Sequence, residues 1–389
     1  MAKRNKEAAG REAAGGGRSR GEGLYVHVPF CMKKCPYCAF YSRGGAGREA
    51  VRAWMAGLER EIAAFLRRKD AAGFRPATVF FGGGTPTWLE AEELAALATL
   101  LRRRFDLSGV EEWSCEANPG TVTAEKFAVL RESGANRISV GVQSFDGATL
   151  RRLGRIHDGD EARAAVAAAR AAGFAHVGVD LIYGVPGDAE GRIERDVAEA
   201  GACGADHLSC YCLEFEEGTP FWRRRPRGEA ARALAERQWR EYGAIRRLAR
   251  TGGWRQYELS NFAKNGAVCA HNLLYWSGGD YLGLGSGAHS HWRGERWGNT
   301  RGTGAWRRAF SERLAPEAAA RETLVMGLRR TAGWNLAAFR ELTGFDAMDL
   351  RGEEIRRAVE AGNLVSGKGR LRLASRALFS SDAVFADLV

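Results

Sequence analysis

The chain repeats one hydrophobic pattern six times between residues 24 and 251. Each repeat begins with an apolar run about as long as one β-strand and continues with a longer segment in which apolar residues recur at helical spacing. The apolar runs lie at 24–29, 78–81, 112–116, 137–142, 175–182 and 206–213. The helical segments lie near 49–68, 90–104, 122–133, 158–172, 190–201 and 227–251. Six strand and helix units in this order predict parallel β-strands joined by helical crossovers.

The apolar runs are nearly continuous rather than alternating, as in Thr78-Val79-Phe80-Phe81. Strands of a parallel sheet have this composition because both of their faces are covered. Crossovers of a single hand would curl six such units into a partial (β/α)6 barrel, an incomplete form of the eight-stranded TIM barrel. The sequence therefore predicts an α/β fold built on a partial TIM-like barrel.

The composition changes on both sides of the predicted barrel, which we assign to residues 23–251. Residues 1–22 are rich in Ala, Gly, Arg and Glu and predict a disordered basic tail. Residues 252–315 are rich in Gly, Trp and Tyr and predict a sheet-rich cap. Residues 316–389 contain helical segments followed by two strand-like runs joined by Gly367-Lys368-Gly369, the pattern of a small winged-helix-like domain. Such domains bind DNA or contact other proteins, so this fold alone does not indicate a function.

The composition is that of a soluble globular protein in a reducing compartment. Hydrophobic residues make up 45% and charged residues 27% of the 389 positions, and no run of eighteen apolar residues is present. The basic N-terminus lacks the apolar segment of a secretory signal. Eight cysteines without such a signal favour free thiols over disulfides. We therefore expect a cytoplasmic protein.

The net charge of +11 and the pI near 9.5 raise the question of a nucleic-acid partner. The arginines are spread through amphipathic segments, as at Arg240, Arg246, Arg247 and Arg250. This distribution is more typical of solvated helix faces than of a binding stripe. The positive field would also attract an anionic small ligand, such as a porphyrin with propionate groups. We expect no nucleic-acid partner.

The most informative motif is the cysteine run Cys31-x3-Cys35-x2-Cys38, which directly follows the first predicted strand. Thiolates hold iron–sulfur clusters, and three cysteines leave one iron of a [4Fe–4S] cubane without a protein ligand. The amino and carboxylate groups of S-adenosylmethionine (SAM) suit that open iron, which would bring the sulfonium close to an electron donor. A zinc knuckle is the alternative, but it usually draws a second ligand pair from nearby, and no cysteine follows Cys38 for over seventy residues.

Glycine and polar residues follow the other predicted strands, at the edge where barrels of this kind carry their chemistry. The run Gly82-Gly83-Gly84-Thr85-Pro86 would let the backbone approach the methionine amine of SAM. Glu116, Gln143 and Asp180 stand at the ends of the next three strands, where they can accept hydrogen bonds from a ribose or an amine. Arg155 can pair with the methionine carboxylate. A helix cap or a surface ion pair is the alternative role of each polar side chain.

These segments resemble the oxygen-independent coproporphyrinogen III oxidase family of radical SAM proteins. The resemblance rests on residues 25–31, 82–87, 141–145, 154–157, 180–187 and 207–211, and it covers nearly all of the chain from residue 23 onward. It implies a radical SAM barrel with a metal-binding site for a [4Fe–4S] cluster on Cys31, Cys35 and Cys38. It also implies that SAM contacts Tyr25, Tyr37, Gly83, Gly84, Thr85, Glu116, Gln143, Arg155 and Asp180. For Tyr25, a place in the hydrophobic core is the alternative.

Two features bring the chain closest to the heme-chaperone branch of that family. The oxidase proper has a fourth cysteine one residue beyond the third, whereas here Cys38 is followed by Ala39-Phe40. The chaperone branch typically has Cys-Asp-Phe there, so Ala39 is a small departure. The segment 271–276 reads H-N-L-L-Y-W and matches the H-N-x-x-Y-W motif of this branch, which is implicated in heme handling. A neutral His271 can ligate heme iron, and helical spacing would bring it onto the same face as Tyr275.

The resemblance therefore implies a heme chaperone that binds heme and delivers it to acceptor hemoproteins, with a cluster, SAM and a reductant for the cluster. The alternative is the oxidase activity of porphyrin biosynthesis, the oxidative decarboxylation of coproporphyrinogen III to protoporphyrinogen IX. A tRNA-modifying radical SAM enzyme would suit the basic charge, but the sequence has no second cysteine trio. The sequence does not decide whether the protein forms a homodimer, or whether it contacts a membrane peripherally through its acceptors.

Overall fold

The computed structural model describes residues 21–389. Residues 1–20 of the predicted basic tail lie outside the described residues. Glu22, the last residue of that predicted tail, already belongs to the first strand and pairs with Pro76 of the neighbouring strand. In the described part of the chain, no helix is long and apolar enough to cross a membrane.

The strands and helices are numbered in chain order. The strands are β1 (Glu22–Val28), β2 (Phe30–Cys31), β3 (Arg43–Gly44), β4 (Pro76–Gly83), β5 (Glu112–Ala117), β6 (Arg137–Gln143), β7 (His176–Tyr183), β8 (His207–Cys212), β9 (Arg255–Gln256), β10 (Asn261–Ala263), β11 (Tyr281–Leu284), β12 (His289–Trp292), β13 (Glu295–Asn299), β14 (Arg308–Glu312), β15 (Trp334–Asn335), β16 (Leu364–Gly367) and β17 (Arg370–Leu373). The α-helices are α1 (Arg48–Leu66), α2 (Ala91–Arg104), α3 (Ala124–Glu132), α4 (Gly147–Arg152), α5 (Gly159–Ala171), α6 (Arg192–Ala202), α7 (Pro220–Arg223), α8 (Gly228–Thr251), α9 (Ala270–Trp276), α10 (Pro316–Leu328), α11 (Leu336–Thr343), α12 (Ala347–Glu360) and α13 (Ser381–Leu388).

Twelve strands form one sheet in the order β14-β13-β12-β11-β1-β4-β5-β6-β7-β8-β10-β9. The six strands that the hydrophobic pattern predicts, β1 and β4 to β8, are neighbours and run parallel. Helices follow each of them in the chain, which confirms the predicted α/β fold with a parallel central sheet. Over residues 21–389 the hydrogen-bonded ladder ends at β14 and β9 and does not close into a ring.

Residues 252–315, which the sequence predicts as a cap, add strands to both ends of this sheet. β9 and β10 lie beyond β8, and β11 to β14 lie beyond β1. β11 runs parallel to β1, and the other added strands are antiparallel to their neighbours. A strand at the edge of a parallel core leaves its backbone groups unpaired, and these short strands pair with both edges of the core.

The two faces of the parallel strands have different neighbours. On β1, the side chains of Leu24, Val26 and Val28 are fully buried. Trp54, Leu58 and Ile62, which recur at helical spacing on α1, are fully buried as well. Because side chains alternate along a strand, Tyr25 and His27 lie on the opposite face of β1. That opposite face carries the polar residues of the site.

Residues 316–389 form a small helical domain with a three-stranded sheet in the order β15-β17-β16. β16 and β17 make the predicted hairpin, with Lys368 at its turn in a left-handed conformation. Trp334 on β15 donates an indole hydrogen bond to Leu324 of α10, which ties the sheet to the first helix. The order of helices and strands is that of the predicted winged-helix-like domain.

Candidate functional site

The cysteine run forms a loop that β2 and β3 close at its base. Phe30 pairs with Arg43 across these two short strands, and within the loop the amide of Cys38 donates to the carbonyl of Cys35 at 3.2 Å. All three cysteines are free and partly exposed. Among residues 21–389, no three His, Cys, Asp or Glu side chains are grouped closely enough to hold one metal ion. A cubane cluster takes one thiolate on each of three irons, so its ligands need not converge on one point.

The glycine run at the carboxyl end of β4 lies directly against the cysteine loop. The amides of Gly84 and Thr85 donate to the carbonyls of Val28 and Phe30 at 2.8 and 2.7 Å. A Cβ on Gly84 would lie 2.6 Å from the Phe30 carbonyl oxygen, so a side chain does not fit there. Gly83 has a φ of +109°, a conformation that glycine adopts without strain. The run therefore needs glycines to bring its backbone to the cysteine loop.

Arg155 connects the cysteine loop to the ends of two strands. One guanidinium nitrogen lies 3.4 Å from Cys35 Sγ, and Nη2 donates to Asn118 Oδ1 at 2.5 Å and to the Gly141 carbonyl at 2.8 Å. Its Nε is buried without a hydrogen-bond partner. Asn118 Nδ2 in turn donates to Thr85 Oγ1 at 2.6 Å, and Thr85 lies 3.5 Å from Cys31 Sγ. The predicted residues Thr85 and Arg155 are thus joined through Asn118.

Two partly buried carboxyl groups, Glu116 and Asp180, lie within electrostatic range of each other. Burial, together with the charge of Asp180, raises the pKa of Glu116 to about 7, although the Gly83 amide donates to it at 3.0 Å. Burial also raises the pKa of Asp180, against the hydrogen bonds from Ser209 and Ser139. Both groups resist ionisation, because a charge there is poorly solvated. A cation bound between them would be stabilised.

The remaining predicted SAM contacts lie around this centre. Burial raises the pKa of Tyr37, which hydrogen-bonds Cys35 and lies in the field of Arg155. Gln143 ends β6 with a φ of +66°, uncommon for a residue other than glycine. A Cβ on Gly141 would lie 2.9 Å from its Nε2 and 2.7 Å from Asn118 Oδ1, so the amide of Gln143 is beside the Arg155 contacts. Tyr37 of the cysteine loop and Gln143 of β6 therefore both lie beside Arg155.

The carboxyl ends of the parallel strands, where these residues lie, are called the mouth of the sheet, and Tyr25 lies one layer deeper. Its ring stacks on Phe80 at 6.1 Å, and its hydroxyl donates to His27 Nδ1 at 3.0 Å. Nε2 of His27 donates to the Tyr41 carbonyl at 2.8 Å. Burial, followed by the charge of Glu116, raises the pKa of Tyr25. The partly buried side chain therefore stacks on Phe80 and lies close to the carboxyl groups of the site.

His271 lies apart from the mouth residues, at the amino end of the strands. Its ring is 1% exposed and stacks on Phe80 at 5.2 Å. Nδ1 hydrogen-bonds Thr78 Oγ1 and Nε2 hydrogen-bonds the Tyr275 hydroxyl, each at 2.8 Å. The predicted contact across one helical turn with Tyr275 is confirmed. Burial lowers the pKa of His271 to about 4, so the ring is neutral. Heme ligation by His271 stays a prediction, and it would require one of these hydrogen bonds to break.

A buried ion pair that the sequence did not reveal anchors the helix of His271. Glu112 accepts the amides of Ala270 and His271 at 3.0 and 3.1 Å. Arg137 pairs with Glu112 at 2.9 Å and donates to the Val268 carbonyl at 2.7 Å. Both charged side chains are less than a tenth exposed. The alternation of side chains along β5 and β6 is the sequence signal that could have indicated this pair. Glu112 shares a strand face with Glu116 on β5, and Arg137 shares one with Ser139 on β6.

Comparison with protein families gives two matches. The radical SAM superfamily model matches residues 25–200, and the HemN C-terminal domain model matches residues 314–379. Among solved structures, coproporphyrinogen III oxidase (HemN) from Escherichia coli superposes with a TM-score of 0.80 over 98% of this chain and 93% of that chain. The sequence identity in that superposition is 20%, so this likeness shows the fold.

Curated proteins resemble the chain over most of its length. The chain is 35% identical over 379 residues to a Mycobacterium tuberculosis protein named heme chaperone HemW, covering 94% of each chain. The heme chaperone HemW of Escherichia coli is 38% identical over 270 residues, which cover 68% of this chain and 69% of that protein. A bovine protein named radical S-adenosyl methionine domain-containing protein 1, mitochondrial, is 35% identical over 306 residues, covering 78% and 67%.

Proposed function

The chain belongs to the HemW family of radical SAM proteins, and on that premise we propose that it is a heme chaperone, which binds heme and transfers it to acceptor hemoproteins. The observation that carries this proposal is the 35% identity across 94% of both chains with a protein of that name. The run Cys38-Ala39-Phe40, which has no cysteine in second place, agrees with this branch of the resemblance.

The proposal assigns a [4Fe–4S] cluster to Cys31, Cys35 and Cys38. SAM would occupy the adjoining mouth, where Tyr25, Tyr37, Gly83, Gly84, Thr85, Glu116, Gln143, Arg155 and Asp180 gather. Two observations fit this assignment: Glu116 and Asp180 are partly buried acids with raised pKa values that a cationic ligand would stabilise, and Arg155 has a buried Nε without a hydrogen-bond partner. When bound, the cluster and SAM supply reductive cleavage of the sulfonium C–S bond, with an electron from a separate reductant.

The residues of the chain would bind and orient rather than react. Arg155 offers its guanidinium to a carboxylate, and it is held in place by Asn118 and the Gly141 carbonyl. Glu116 and Asp180 would accept hydrogen bonds from an amine or a ribose, and each is fixed by donors of its own, Gly83 for Glu116 and Ser139 for Asp180. Preorganised partners of this kind lower the entropy cost of binding.

If this proposal is correct, the protein is cytoplasmic, and its partners are a reductant for the cluster and the acceptor hemoproteins. Residues 23–251 would hold the cofactors, residues 252–315 would complete the sheet around them, and residues 316–389 would be free to contact a partner. A homodimer and peripheral membrane contact through the acceptors are compatible with it.

Heme binding and transfer test the function directly. Anaerobically reconstituted protein is expected to bind heme and develop a Soret band of a protein-bound porphyrin. It should then load the apo form of a b-type cytochrome faster than it loses heme to apomyoglobin, a passive scavenger, because a chaperone recognises its acceptor. Absence of heme binding would contradict the proposal.

The second candidate function is the oxidative decarboxylation of coproporphyrinogen III, favoured by the fold shared with HemN. Reconstituted protein supplied with coproporphyrinogen III, SAM and a reductant is expected to yield no vinyl product by liquid chromatography. Conversion of propionate to vinyl groups over many turnovers would replace the chaperone proposal by the oxidase.

SAM affinity should depend on pH through Glu116. Its pKa of about 7 is above the usual range, so in the free protein the carboxyl is protonated below pH 7 and ionised above it. A cationic ligand prefers the ionised form, and affinity should fall about tenfold between pH 8 and pH 6. Glu116→Gln should bind SAM weakly with almost no pH dependence.

The control for this measurement is Glu132→Gln, an exposed carboxyl at the end of α3. Equilibrium dialysis with labelled SAM, with iron content determined at each pH, separates ligand binding from loss of the cluster. Equal pH slopes for wild type and Glu116→Gln would show that another group titrates.

A further inference from the structure

Exposed apolar side chains are concentrated around the mouth of the sheet. Among the described residues, four of the eleven exposed large apolar side chains belong to segments at this edge: Met32, Phe40, Ile156 and Tyr211, which are 52, 70, 47 and 43% exposed. We call them the mouth rim. Met32 and Phe40 belong to the cysteine loop, and Ile156 is next to Arg155 in the chain. Exposed apolar groups on several segments of one functional edge favour a surface that binds an apolar partner.

The loop after β8 brings aromatic and cationic residues to the same edge. This loop, residues 214–227, is called the arginine strap. The amide of Phe221 donates to the Pro36 carbonyl at 3.1 Å, and its ring contacts Tyr37 with centroids 6.1 Å apart. Pro36 and Tyr37 lie between two of the cluster cysteines in sequence. The strap is therefore fastened to the cysteine loop.

The cations of the arginine strap are largely unneutralised. Arg223, Arg224 and Arg227 are exposed, and within residues 21–389 none of them has a carboxylate partner. Arg225 packs on the indole of Trp222, 3.7 Å from the ring centroid. The strap also contains three acids, Glu214, Glu216 and Glu217, but within the described residues none of them forms an ion pair with these arginines, and Glu214 hydrogen-bonds Glu216 instead. Elsewhere, arginines such as Arg48 and Arg296 each bridge two acids.

We infer that the mouth rim and the arginine strap together bind the heme, with the apolar rim against the macrocycle and the arginines on its propionates. This inference rests on the proposed function and names the place of its ligand. A metalloporphyrin is a flat apolar ring with two carboxylates on one edge, and this edge of the protein offers exposed aromatic and aliphatic groups beside free guanidinium groups. His271, by contrast, is buried with both ring nitrogens bonded.

Removing two charges from the strap tests this assignment. Arg223→Gln/Arg224→Gln is expected to weaken heme binding about tenfold in a Soret titration, because two exposed ion pairs with the propionates are lost. The matched control is Arg103→Gln/Arg104→Gln in the last turn of α2, where the helix has returned to the amino ends of the strands. The control should change heme affinity by no more than about twofold. Iron and sulfide content should be that of wild type in both variants.

A second experiment uses a heme without free carboxylates, which tests whether the arginines recognise the propionates. Heme dimethyl ester should bind wild type about as weakly as heme binds the strap variant, and the strap variant should not distinguish the two ligands. A second substitution, Phe40→Ser, should weaken both ligands alike, because it removes apolar contact and no charge.

The outcomes separate this inference from the proposed function. If wild type binds heme and the strap variant binds it equally well, the mouth site is wrong and the chaperone proposal stands. If wild type binds no heme, the proposed function fails as well. If the strap variant instead loses a salt-sensitive shift of tRNA while its heme affinity is unchanged, the strap is a nucleic-acid surface and the inference is overturned.

Discussion

Anaerobic reconstitution of Cys35→Ser is expected to give protein with almost no iron or sulfide, against about four of each per chain for wild type. A serine oxygen is a poor replacement for a soft thiolate ligand, and the cysteine run offers three thiols, each of which would hold one iron. Cys31→Ser and Cys38→Ser should behave in the same way. SAM binding should be lost together with the cluster, since in the proposed site the iron without a protein ligand would hold its amino and carboxylate groups.

Cys203→Ser is the matched control, because Cys203 is also partly exposed but lies at the end of α6. It should retain the cluster in full. Iron and acid-labile sulfide are measured by colorimetric assay, and the sulfur-to-iron charge-transfer absorption of the cluster is recorded on the same samples. A full cluster in each of the three variants, or stoichiometric zinc in the wild type, would contradict the assignment.

The predicted strands and the gathering of the site at one edge came from two local properties of the sequence. Nearly continuous apolar runs such as Val79-Phe80-Phe81 identify strands that are covered on both faces. Once the strands are parallel, their carboxyl ends meet, so residues that follow different strands become neighbours. Thr85 and Arg155, seventy positions apart, lie on either side of Asn118 for this reason.

The side-chain contacts between those residues could not be predicted, because they depend on side-chain directions that the sequence alone does not give. Asn118 was visible as part of a strand end, but its role as the bridge between Thr85 and Arg155 follows from side-chain directions in three segments. Ser139 and Ser209 hold Asp180 from two neighbouring strands, and isolated serines carry no sequence signal. Such roles become visible only when the register of the strands is known.

For residues 252–315 the composition predicts a sheet-rich cap, but it does not indicate which strands these segments pair with. These strands are short, two to five residues, and their glycine-rich composition resembles that of irregular loops. Two of them pair with the core over a long distance in the chain: β11 pairs with β1 and β10 with β8, each more than fifty residues earlier. Long-range pairing of short strands is set by the edges that the parallel core leaves open, which no local pattern encodes.

His271 shows the same division between local and distant information. Spacing of four residues predicts its contact with Tyr275, and the structure confirms it. Its second partner, Thr78, lies 193 residues earlier in the chain, and this contact makes the imidazole part of a buried layer. The motif that resembles a heme-handling segment therefore also has a structural role at the base of the sheet.

Arg137→Met is expected to destabilise the protein by about 3–5 kcal/mol, since it leaves Glu112 charged and buried without its partner. Burial alone would raise the pKa of Glu112, but Arg137 and the amides of Ala270 and His271 lower it, so the carboxylate is ionised at neutral pH. The loss of the Val268 contact also frees the segment before α9. We expect the thermal midpoint to fall by about 5 °C or more.

Two further variants decide whether the loss comes from the unpaired charge. Glu112→Gln added to Arg137→Met removes that charge and should recover part of the midpoint, because replacing both members of a buried pair costs less than breaking it. Arg48→Met also breaks an arginine pair, but its partners Glu90 and Glu93 are solvent-accessible, so it should cost at most about 1 kcal/mol. An equal loss in Arg48→Met, or no recovery in the double variant, would show that the side-chain volume of Arg137 matters rather than its charge.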